Sequence, residues 1–302
     1  MIPSLRHKSK LRPESRRLIA RVGRCGLVGA LVASLVFVEA PHVVRAAAVP
    51  MHAETITIDT GFRVKRDGFS FPNWGGLTAT DGLSRGHMFE LLGLAGRCFD
   101  DGVNPTCFLR NGLEVTLTHL DEHLAQGRCE GMSVLAGRIF QGATRLRHIS
   151  KRAKRTFDLT LQEAADEIAF WWSSQLAPSI SRDSAVKRAS STHQLAHEIM
   201  RRMRRKTMVT IGIYTPAWSH SVLAVKAQYR EDVSRFTVYD PNFPGETRVL
   251  VLDHLRNLWT YERALNLDGS LSTVTGAGAG GLDYVPVDFR SRLSGWEWLA
   301  GF

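Results

Sequence analysis

"AQGRCEGMSVLAG", Ala125 to Gly137, decides how this chain is read. A polar turn bearing Gly127 delivers one cysteine, Cys129, and an apolar pattern begins at once. Met132, Leu135, Ala136, Ile139 and Phe140 recur at intervals of three and four, one face of a helix from Cys129 to about Gly142. A thiol at a helix mouth lies among backbone N–H groups that have no intrahelical acceptor, where the helix dipole favours an anion. The thiolate is the reactive form of cysteine, and the same N–H groups can hold the oxyanion of a tetrahedral intermediate. Gly127 is expected to let the chain turn sharply, and Gly131 to leave room for a substrate beside the sulfur.

A nucleophilic cysteine needs a base and a group that orients the base. "WSHSVLAV", Trp218 to Val225, opens an apolar strand with His220. A later strand ends in "FTVYDPNFPG", Phe236 to Gly245, where Asp240 is placed to accept the second ring N–H of a histidine. Asn242 is the neutral alternative for that role. An oxyanion donor from a side chain has two candidates: Asn73 in "FPNWGG", a loop amide flanked by glycines, and Gln126, three residues before the cysteine.

Outward from these motifs the texture is α then β. Residues 160–177 read as a helix with a capping box, Thr160 with Glu163, and residues 190–206 as another with a cationic last turn. Trp171 and Trp172 fit a core better than a stacking platform. Strands are expected at 208–215, 219–229, 234–240 and 247–253, from β-branched and aromatic content. A short strand is expected at 54–60, a helix near 85–95 and a short helix near 252–259. "GAGAGG", Gly276 to Gly281, reads as flexible. Helices first and an antiparallel sheet second make an α+β chain, with the cysteine helix packed on the sheet.

"QGRCEGMSVLAG", "SHSVLAV" and "FTVYDPNFPG", taken together, resemble the papain-like cysteine peptidase superfamily, and "CxGM" with a later "YDPN" is similar to a bacterial secreted branch of it. The resemblance spans about residues 68–250 and rests on these three short motifs. It implies a papain-like catalytic domain over 68–302, with Cys129 as nucleophile, His220 as general acid and base and Asp240 as orienter. The chemistry implied is cleavage of a peptide or amide bond through a thioester, on a protein or peptide substrate. The better-known members carry a glutamine shortly before the cysteine; Gln126 stands closer than that pattern. Glu130, beside the nucleophile, disfavours a thiolate if it faces the sulfur. The rival reading is a non-catalytic exported module of the same fold.

Residues 1–48 read as an export signal: a basic start, the charge-free run Gly26 to Val38, then Ala46-Ala47-Ala48. That run is too short for the roughly 30 Å core of a bilayer, though an uncleaved anchor is the alternative. "SRRLIAR", Ser15 to Arg21, also loosely fits a twin-arginine signal. The expected location is secreted, cell-surface or periplasmic, with residues 49–67 as an extension. In an oxidising compartment, Cys98 and Cys107, flanking a turn-rich loop, are expected to pair, which leaves Cys129 as the odd thiol.

The chain carries a formal +10, and residues 1–48 supply +7 of it. The high charge is therefore no sign of nucleic-acid binding, and no membrane is expected as a partner once the signal is gone. Residues 138–206 hold fifteen basic and six acidic residues. Such a block is a solvated helical face or a docking surface for an anionic surface polymer. His119 and His123, and His193 and His197, are spaced four apart but lack the glutamate of a HExxH site. No metal and no cofactor are expected.

Overall fold

A computed structural model of the chain describes residues 54–76, 82–84, 87, 98–99, 106–107, 113–266 and 268–292. The signal at 1–48, and the helix expected near 85–95 apart from residue 87, lie outside the described residues. The chain divides into two compact units, Met1–Met51 and His52–Phe302, and every described residue belongs to the second.

The expected α+β segregation is present. The strands are β1 (Ile56–Asp59), β2 (Cys98–Phe99), β3 (Thr106–Cys107), β4 (Val209–Tyr214), β5 (Ser219–Arg230), β6 (Val233–Tyr239), β7 (Thr247–Asp253), β8 (Leu258–Leu265), β9 (Leu271–Ala277) and β10 (Leu282–Pro286). The helices of two turns or more are α1 (Leu113–Leu124), α2 (Cys129–Phe140), α3 (Leu161–Ser173), α4 (Pro178–Arg188) and α5 (Thr192–Arg204). β4 to β10 and β1 form one antiparallel sheet in the order β10-β4-β5-β6-β7-β8-β9, with β1 also on β5. The first half of β5 pairs with β4, and β1 continues that edge from Ile56↔Tyr229 to Asp59↔Lys226. Residues 56–59 are thus part of the sheet, within the stretch expected as an extension.

Alternation along the strands sends side chains to two covers. On one face Leu195, Ile199 and Met203 of α5 meet Val209, Ile211, Val222 and Val238. On the other, Met132, Leu135 and Ala136 of α2 meet Met208, Leu223, Val225 and Tyr239. The apolar periodicity read from the sequence for α2 is the face it buries. α3 lies behind α2, and Trp171 and Trp172 are buried in it. It starts at the expected capping box, with Thr160 accepting from the Glu163 N–H and Glu163 accepting from the Thr160 N–H.

Three expectations are corrected. Residues 254–257 are a turn, and the chain then enters β8 rather than a helix. The glycine tract is a tight connection from β9 to β10 rather than a flexible link. It is shaped by Trp259, whose Nε1 donates to the Ala277 carbonyl at 2.8 Å; a Cβ on Gly276 or Gly281 would stand 2.5 or 2.2 Å from the indole. Gly131 does not open space beside the sulfur. A Cβ there would stand 2.0 Å from the Ile168 carbonyl oxygen, so this glycine lets the backbones of α2 and α3 touch.

Among the described residues no helix is long and apolar enough to cross a membrane.

Candidate active site

Cys129 is the first residue of α2 and is half-buried. Its position follows from a local device. Gly127 takes φ +146, a conformation that L side chains rarely adopt, and so turns the chain into the helix. The space over Gly127 is filled by the carboxamide of Asn73, 3.2 Å from where a Cβ would be. Asn73 Oδ1 accepts from the Arg128 backbone N–H at 2.7 Å, which ties the 71–76 loop to the helix mouth. The Arg128 side chain is fully buried and donates to the carbonyls of Trp74 (3.1 Å) and Gly76 (2.9 Å), with its guanidinium over the Trp74 ring. One turn into α2, Ser133 Oγ donates to the Ser221 carbonyl and fixes the helix against the head of β5.

His220, second residue of β5 and register partner of Ile213, lies next to that anchor. Its Nε2 is 2.7 Å from Asp240 Oδ1, and Cys129 is near enough to act on it electrostatically. Nε2 being taken by the carboxylate, Nδ1 is the nitrogen left for the sulfur. The His220 side chain is 8% exposed and that of Asp240 1%. Burial alone pulls the imidazolium down, but Asp240 and then Cys129 outweigh it and hold the His220 pKa well above its usual value. Burial pushes the Asp240 carboxyl up, but His220 and the other hydrogen bonds it accepts overcome this and hold it below the usual carboxylate range.

Asp240 follows β6 directly and accepts three hydrogen bonds: from His220, from Tyr261 Oη at 2.5 Å, and from the Asn242 backbone N–H at 2.8 Å. Tyr261, on β8, is fully buried; burial and then Asp240 hold its phenol well above the usual value, so it stays a donor. Asn242 is not the group on the histidine. Its side-chain Oδ1 accepts from Asn73 Nδ2 at 3.1 Å, so it fixes the orientation of Asn73 while Asp240 holds His220. Asn73 is thereby held at both ends of its amide, with the second Nδ2 proton left over. Gln126 is exposed on the turn before α2, and among the described residues nothing joins its side chain to Cys129, His220 or Asn73.

Glu130 does not oppose a thiolate in the way its sequence position suggests. It is buried against Arg290, which is 2% exposed and also donates to Ser174 Oγ at 2.7 Å. Its charge is neutralised behind the helix. Cys98 and Cys107 are direct register partners in the β2–β3 ladder. Cα separations across antiparallel pairs, about 4.5–5.5 Å, fall in the range a disulfide spans; their side chains lie outside the described residues.

Arg128, Tyr261 and Arg290 were not legible as site residues. Tyr261 had one signal, a phenol two residues from Trp259 on a strand-like stretch, but nothing tied it to Asp240.

No family model, curated protein or solved structure matches the chain.

Proposed function

We propose that the protein is a papain-like thiol hydrolase that cleaves peptide or amide bonds. The observation that carries the reading is the buried Asp240–His220 hydrogen bond brought next to Cys129 at the mouth of α2. An imidazolium held by a buried carboxylate favours a thiolate beside it.

Cys129 Sγ attacks the carbonyl carbon of the scissile bond and the carbonyl oxygen becomes an oxyanion. The Cys129 N–H, which has no acceptor within the helix, and the second proton of Asn73 Nδ2 are its donors. His220 gives its proton to the leaving nitrogen, the C–N bond breaks and a thioester remains. Water then attacks the thioester, His220 takes its proton, and the acid is released with the thiolate restored. Asp240 keeps the ring oriented throughout and stabilises it whenever it is charged, and Tyr261 and the Asn242 N–H keep Asp240 an anion. Asn73 supports the reading better than Gln126, because its amide is fixed by Arg128 and Asn242.

The test is digestion of a mixed peptide library by the purified chain, with new termini identified by mass spectrometry. Cleavages made by the wild type and lost in Cys129→Ala and His220→Ala support the proposal. A library left intact by folded wild-type protein, or cut equally by Cys129→Ala, defeats it.

A further inference from the structure

At the far end of α2, about 17 Å from Cys129 along the helix, lies a cavity of about 930 Å³. Its floor is apolar: Ile139, Phe140, Leu146 and Ala153 are half-buried there. Its rim is cationic. Arg145, Arg147 and Lys154 are exposed, and among the described residues no acidic side chain pairs with any of them. Arg66 and Arg155 also line it, but Asp67 and Asp158 already hold them. Arg145 and Thr144 continue into an adjoining cavity of about 450 Å³. The segment 138–158 holds seven Lys or Arg against the one acid Asp158. The C-terminus of α2 points about half a negative charge at this region, which three free cations outweigh.

We infer that this cavity is a binding site for an acidic peptide segment that also carries aliphatic side chains. The shape and lining select among anions. The site is a broad, open depression rather than a closed pocket, which suits an extended chain laid across it. A neutral sugar polymer is met by amide side chains and flat aromatic platforms, and the cavity has no Asn, Gln or Trp in its lining and one Phe; a sulfated polymer could use the cations but leaves the apolar floor empty. Carboxylates on the rim and aliphatic groups on the floor match an extended acidic peptide. The site lies at the opposite end of α2 from Cys129, and binding there needs no chemistry at the sulfur.

The experiment uses the full chain carrying Cys129→Ala and reads fluorescence anisotropy of a short labelled peptide alternating glutamate and leucine. Reversing the three free cations (Arg145→Glu, Arg147→Glu, Lys154→Glu) is expected to weaken binding about tenfold or more, and replacing them with glutamine to weaken it less. Reversing three exposed cations elsewhere, Arg204, Arg205 and Lys206, should change it less than about twofold. Replacing leucine by serine in the peptide should cost severalfold, because the floor is then unused. The inference is overturned by no binding, by equal loss in the control variant, or by indifference to the leucines. It is also overturned if a sulfated oligosaccharide or phosphatidylserine vesicles use the three cations more tightly than the peptide does.

Discussion

Gly131→Ala sets two effects of opposite sign against each other. Alanine in place of glycine inside a helix gains about 1 kcal/mol from propensity alone. Here the new methyl would stand 2.0 Å from the Ile168 carbonyl oxygen, 2.9 Å from the Trp172 nitrogen and 3.0 Å from the Ile168 carbon. Ordinary C···O contacts are about 3.3–3.6 Å, so α2 and α3 must part by roughly 1.3 Å. These atoms are backbone and cannot swing aside. Overpacking of this kind costs about 1–3 kcal/mol and occasionally more, and a gap of that width also forfeits part of the dispersion between the helices. The net expectation is a loss of about 2 kcal/mol, or a fall in Tm of about 4–8 °C for a domain of this size. Thermal unfolding followed by far-UV circular dichroism reads it. A variant as stable as the wild type, or more stable, refutes the account of why glycine follows Glu130.

Asp240→Asn keeps the shape of the site and removes its charge. His220 loses the partner that opposes its burial, so its titration midpoint should fall, read by NMR on ¹³C-histidine-labelled protein; an unmoved midpoint contradicts the assignment. In the wild type the raised histidine pKa keeps the pair intact at neutral pH, and its contribution is lost as pH rises through that value. At the other limb, the lowered Asp240 pKa preserves the carboxylate until pH falls through it. Asn73→Ala should cut peptide turnover about 10²–10³-fold and leave alkylation of Cys129 by iodoacetamide within about twofold, because alkylation forms no oxyanion. A parallel loss of both would make Asn73 a structural brace only. Tyr261→Phe removes one buried donor from Asp240 and should cost about 1–3 kcal/mol in denaturant unfolding; no change would mean that water replaces the phenol.

The elements that place Cys129, His220 and Asp240 were legible because each is written locally. α2 shows its buried stripe at spacings of three and four, α3 shows its capping box, and β4 to β7 begin and end within a residue or two of where β-branched content and turn residues put them. β8 to β10 were not. Their boundaries depend on Trp259 packing over Gly276 and Gly281, a contact between residues distant in sequence. α4 escaped notice because it buries little, Ile180 and Ser184 among eleven residues, and so has no strong period. The supporting residues of the site failed to announce themselves for the same reason. Arg128 is buried by a loop fifty residues away, Arg290 reaches Glu130 across the fold, and Tyr261 meets Asp240 from β8, two strands along the same sheet from β6. Gly131 was read in the right place for the wrong cause, since sequence alone cannot show which backbone comes close to it.

The direct measurement of whether the relay activates the sulfur is the rate of iodoacetamide addition to Cys129 near pH 6, mapped by peptide mass spectrometry. A free thiol is almost wholly protonated there. Wild-type Cys129 should react at least about tenfold faster than the same residue in His220→Ala. Equal rates in the two proteins would mean that the imidazole does nothing for the thiol, and the hydrolase reading would fall.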